Sequence, residues 1–157
     1  MTTIVYDKYL YRLSTVAPQP VFSVVLPKDL QWVDELTWGA VEQSVDYSLT
    51  GVLLIEEGLK QKGRFITLSG LDNMAWITRE KGLILQAMQN SPGLIMTLEF
   101  FNSEDEEEVL FSYNTMFRHF EKPAVDIKRI LQYDQYEAGA YYIVNSIKLM
   151  ETLAYGA

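Results

Sequence analysis

Residues able to do covalent chemistry are scarce in this chain. Histidine occurs once, His119 in "MFRHFEK", and cysteine is absent. A serine nucleophile needs a neighbouring base to take its proton, and no nucleophile-elbow motif accompanies His119, so it reads as a surface or strand-end residue. Thiolate catalysis, disulfides and Cys or His metal sites go with the same counts. Carboxylates are plentiful at 21 Asp plus Glu. Their one dense run, "NSEDEEE" at 102–108, lacks the glycine and alternating ligands of a calcium loop and reads as a solvated hairpin tip. "GLKQKG" places lysines between glycines but lacks the Gly-Lys-Ser/Thr ending of a phosphate loop and precedes a strand. A two-carboxylate glycosidase is compatible with so many acids, but nothing in the order of residues selects a pair. The expectation is a protein that is not an enzyme and uses no cofactor or metal.

Charge and aromatic content point to protein partners. A net charge of −8 and a pI near 4.6 disfavour specific nucleic-acid binding and anionic membranes. No run approaches the roughly 20 apolar residues of a membrane span, and "MTTIVYDKYLYRL" does not read as a signal peptide, so a soluble product made in the cytoplasm is expected. Ten tyrosines and three tryptophans supply residue types that anchor interfaces and that β-rich cores also use. Trp76 reads as core, while Trp32 and Trp38 are open between core and interface. Either of the latter could also be the stacking platform of a carbohydrate- or receptor-binding module.

The elements that must position these residues are mostly strands. Pro18, Pro20 and Pro27 bracket the β-branched run Val21 to Leu26, which predicts an edge strand or extended arm. From Val41 to Ile55 the pattern alternates at Val45, Tyr47 and Leu49, then becomes continuous in "VLLI". This predicts a strand solvated on one face that becomes buried on both, with Gly51 marking a bulge and "EEGLKQKG" a solvated connection. "RFITLSG" alternates cleanly, with Ile66 and Leu68 on one face, and Gly70 ends it. "LIMTLEFF" and "VLFSYNTMFRHF" make a hairpin candidate across the acidic run. "AVDIKRIL" alternates at Val125 and Ile127. "YYIVNSIKLMETL" puts Tyr141, Ile143, Ile147, Leu149 and Leu153 on one strand face, with a helix as the other option there.

One segment has helical period: Trp76, Ile77, Glu80, Leu83, Ile84, Ala87 and Met88 share a face, with Asp72 or Asn73 as N-cap and "NSPG" as stop. Gly82 within it suggests a close approach by a neighbour. At 157 residues one core is the default, so a single domain over 1–157 is expected, mainly β (α+β), with one amphipathic helix at about residues 74–90 and room for an extended N-terminal arm at about 1–30.

The succession "GRFITLSG", "WITREKGLILQAM", "PGLIMTLEF" and "MFRHF" resembles small structural proteins encoded in the tail regions of tailed bacteriophages and prophages. In such proteins an I-T-L-x-G strand is followed by an aromatic and an arginine at a helix start, a T-L strand and a Phe-Arg strand end. The resemblance covers about residues 63–131, and the acidic run and proline-bracketed segment depart from it. It implies a β-sandwich or barrel flanked by the helix, similar to distal-tail or tail-tube proteins. It further implies a structural virion protein of the tail or baseplate that forms a ring with copies of itself and neighbouring tail proteins, and a negative lumen that lets DNA pass. Trp32, Trp38, Tyr47, Arg79 and Arg118 are the protein-interface candidates. The Val41–Ile55 strand, its following connection and the Pro18–Pro27 segment are the candidate pairing edges.

Overall fold

The computed structural model describes residues 9–27, 29–70, 74–102, 109–130, 137 and 139–154. The strands are β1 (Tyr9–Ser14), β2 (Ser23–Leu26), β3 (Gln31–Trp32), β4 (Val41–Tyr47), β5 (Leu53–Leu59), β6 (Phe65–Ser69), β7 (Trp76–Thr78), β8 (Met96–Asn102), β9 (Val109–Phe117), β10 (Val125–Arg129) and β11 (Tyr141–Glu151); the helix is α1 (Arg79–Gln89). Nine strands form one antiparallel sheet in the order β2-β1-β8-β9-β11-β6-β3, with β10 and β7 also on β11. The other two, β4 and β5, pair only with each other among the described residues.

Alternation dictates how the sheet folds. Leu13, Val24, Leu26, Ile66, Leu68, Met96, Leu98, Phe100, Ile147 and Leu149 are buried on its inner face. Their strand neighbours face out, as with Arg12 and Glu99, which sit opposite each other and are joined by an ion pair of 3.0 Å. The sheet curves until its ends meet: Trp32 of β3 lies edge-on to Phe100 of β8 at 5.1 Å, and the Tyr11 hydroxyl donates to the Leu30 carbonyl at 3.1 Å. α1 covers the remaining opening with Leu85 and Met88, packing on β2, β7, β10 and β11. The fold is mainly β, sandwich-like, with one helix.

Several expectations need correction. Trp76–Thr78 is a strand, because Trp76 and Ile77 pair with Ile143 and Tyr142 on β11. The helix therefore starts at Arg79, with Thr78 as its N-cap residue, making no side-chain cap bond. Asp72 and Asn73, expected to cap it, lie outside the described residues. The buried stripe is Leu85 and Met88, while Leu83 of the expected face is exposed. Trp76 is 53% exposed and not core. A Cβ on Gly82 would meet only Ile127 Cδ1 at 3.8 Å, so no close approach requires the glycine. The "NSPG" stop holds: Asn90 is the C-cap, Gly93 has φ +69°, and Ser91 Oγ donates to the Ala87 carbonyl at 3.1 Å.

The proline-bracketed run forms β2, an edge strand paired only with β1 among the described residues. Its entry loop is fastened by Gln19, whose side chain makes two bonds to the Ile95 backbone at 3.0 and 2.8 Å. β11 is a strand throughout, but its register with β10 skips Asn145, so Val144 joins Ile147 in the core while Tyr141 and Leu153 are exposed. β8 and β9 pair as expected. The acidic run 103–108 between them lies outside the described residues.

Candidate assembly surface

The Val41–Ile55 segment is not one long strand. Gly51, expected as a bulge, takes φ +85° in a turn, where its N–H donates to the Ser48 carbonyl at 2.9 Å. Ser48 locks the turn further by bonding Val52 through its backbone at 2.8 Å and its hydroxyl at 3.0 Å. β4 and β5 then run antiparallel in register from Tyr47↔Leu53 to Val41↔Leu59. Half of the expected connection "EEGLKQKG" thus belongs to β5.

Every residue of both strands is exposed, including the "VLLI" run expected to be buried on both faces. Pairing puts opposite residues on one face, so Val41, Val45, Tyr47, Leu53, Ile55 and Leu59 share a side, with Gln43 and Glu57 between them joined by a 2.7 Å hydrogen bond. The other side carries Glu42, Ser44, Asp46, Leu54, Glu56 and Gly58. The hairpin has one apolar and one acidic face, and among the described residues no other element packs substantially on either strand. From the residue exposures the apolar face presents on the order of 600 Å², close to the roughly 800 Å² each partner gives a standard interface. An isolated two-stranded ribbon is marginal in water. Among the described residues the outer edges of β4 and β5 have no strand partner.

The root of the hairpin is rigidly held. Lys60 N–H donates to the Ala40 carbonyl at 2.7 Å, one pair beyond the strands. Gly63 N–H donates to the Glu151 carbonyl at 3.0 Å and Glu151 N–H to the Arg64 carbonyl at 2.7 Å, tying the returning chain to the end of β11. The outgoing chain is held through Asp34, which accepts from the Thr67 N–H and hydroxyl, both at 2.9 Å. Arg64 joins the two: its guanidinium lies 4.6 Å from the Trp32 ring, 5.7 Å from Trp38 and 6.0 Å from Tyr113, and it donates to the Glu35 carbonyl.

The five interface candidates sit in three places. Tyr47, 70% exposed, stands on the apolar face of the hairpin near its tip. Trp32 and Trp38, both half-buried, flank Arg64 at the root. Arg79 opens α1 and donates to the Tyr142 hydroxyl at 2.7 Å. Arg118, 4% exposed, pairs with Glu121 at 3.1 Å, donates to the Thr67 hydroxyl and lies 4.3 Å from the Phe65 ring. These two arginines are engaged inside the fold and apart from the hairpin. Arg64 was not singled out by sequence. Its cue was a base beside Gly63 at a strand start, but no spacing rule links it to tryptophans some thirty residues earlier. His119 is exposed just past β9.

Compared with known protein families, with characterised proteins and with solved structures, the chain matches none.

Proposed function

We propose that this chain is a structural protein of a phage tail or baseplate, assembling into a ring with copies of itself and with neighbouring tail proteins. The observation that carries the assembly reading is the β4–β5 hairpin, an amphipathic ribbon with an exposed apolar face and, among the described residues, both edges open. Such a ribbon is a template for another chain: side-by-side pairing satisfies its edges, and packing of the apolar face removes it from water. Copies related by rotation give a heterologous contact that closes into a ring. Turned toward a lumen, the face bearing Glu42, Asp46 and Glu56 would repel DNA and let it slide. The tail assignment itself rests on the four sequence blocks resembling tail proteins, which correspond to β6, β7 with α1, β8 and the end of β9.

A glycan-binding module is the weaker reading because Trp32, one of its two candidate platforms, is packed against Phe100 and Tyr113 and overlaid by Arg64, which also lies 5.7 Å from the other, Trp38. Light scattering behind size exclusion, run across rising concentration alone and with proteins from the neighbouring reading frames, tests the proposal. Discrete oligomers or co-assembly are expected. A strict monomer that binds none of those proteins contradicts it.

A further inference from the structure

β11 runs from the hairpin root to β7. At its C-terminal end, Glu151 exchanges backbone hydrogen bonds with Gly63 and Arg64 at the hairpin root. At its N-terminal end, Tyr141 and Ile143 pair with Thr78 and Trp76. Seven residues, Val144 to Met150, lie between Glu151 at the root and the nearest β7 partner, Ile143, a distance of roughly 25–30 Å at ordinary strand rise. That far end holds a groove of about 220 Å³ lined by Val25, Pro27, Trp76, Thr78, Lys81 and Tyr141. Its aromatic walls are the exposed pair Trp76 and Tyr141, 53% and 54% accessible with ring centroids 5.7 Å apart. The volume is below the roughly 300–1,000 Å³ of small-molecule pockets and suits one or two inserted side chains.

The geometry points to the hairpin tip of a second copy as the occupant of this groove, with Leu49 as the inserted side chain. This rests on the assembly reading above and adds the receiving surface to it. Leu49 stands fully exposed at the apex, flanked by exposed Tyr47 and Val52. Strands of seven residues carry that apex roughly 20–25 Å from the root. Charge matches at the tip: Asp46, one pair below the last strand pair Tyr47 and Leu53, is the acid nearest Leu49, and the groove presents Lys81, whereas Glu42 is paired with Lys60 at the root. Leu49 is fully exposed, so a copy's own tip does not occupy its groove, and a tip-to-groove contact joins two different surfaces, head to tail. An exposed aromatic pair in a concavity is the usual form of an interface anchor.

The chain has no cysteine, so single cysteines report the contact cleanly. Full-length L49C and V25C chains are mixed with a short bis-maleimide, each alone serving as control. A covalent dimer formed mainly in the mixture is expected. W76A in the V25C chain lowers its yield roughly tenfold. K81E in that chain does likewise, and D46K in the L49C chain restores it, which a folding defect would not. Oligomers by light scattering without the mixed cross-link overturn the groove while leaving assembly standing. A strict monomer that also fails to bind neighbouring tail proteins overturns both.

Discussion

Replacing Gly70 with alanine puts a methyl group where two backbone segments already meet. Gly70 follows β6, and its N–H donates to the Asn145 carbonyl at 3.0 Å. A Cβ there would fall far inside contact distance of the Val144 carbonyl oxygen, 2.8 Å from Ala75 Cβ and 3.3 Å from the Met74 carbonyl. None of these can rotate aside: Val144 belongs to β11, and its N–H holds the Ala75 carbonyl at 2.9 Å. Relief requires β11 and the 74–76 segment to separate, an overpacking cost of about 1–3 kcal/mol with about 1 kcal/mol more for each weakened hydrogen bond. Reduced freedom of the unfolded chain returns only about 0.4–1 kcal/mol. The net loss is about 2–3 kcal/mol, which lowers Tm by roughly 5–10 °C for a chain of this length. Thermal and urea unfolding followed by circular dichroism measure it. An unchanged or raised Tm refutes the reasoning.

Three further changes separate stability from assembly. Gly82→Ala has the opposite sign, because its methyl meets Ile127 at ordinary contact inside a helix; stability should rise by about 1 kcal/mol in the same melts. Phe100→Ala empties a fully buried site touching Tyr11, Trp32, Phe111 and Tyr113 and should cost about 3–5 kcal/mol by urea titration. Arg64→Ala removes the cation between Trp32 and Trp38 and should cost only about 1–2 kcal/mol. Limited proteolysis of that variant should cut the 33–63 segment faster while the sheet stays intact.

Much of the fold was legible because one-sided strands announce themselves. Phe65–Ser69 alternates without a break, and β8 with β9 reads as a hairpin because each keeps period two on either side of a charged run. The β7–α1 boundary was not legible: three residues, Trp76 to Thr78, fit either period, and only pairing with β11 decides between them. Ala75 at φ +63° starts that segment, and no residue type signals it. The hairpin was misread for a more instructive reason. "VLLI" is apolar on both faces, and in a single chain that pattern normally means burial in its own core. Here the run stands exposed on a hairpin, and composition alone does not distinguish the two settings. The same limit applies to Trp76, apolar enough for a core yet left half-exposed beside Tyr141. Of the candidate residues, Tyr47 was readable from alternation, whereas the Trp32–Arg64–Trp38 root required tertiary contacts.

The central claim is that the hairpin's apolar face is an interface held ready for another subunit. Val45→Lys with Ile55→Lys tests it directly, since these exposed residues pair across the strands on that face and make no core contact. Sedimentation velocity on the wild-type and doubly substituted chains, at matched concentration, is the measurement. The expected result is an associating wild type and a monomeric variant that keeps the wild-type far-ultraviolet circular dichroism spectrum, because both substituted side chains are exposed. A variant that associates as strongly as the wild type contradicts the claim.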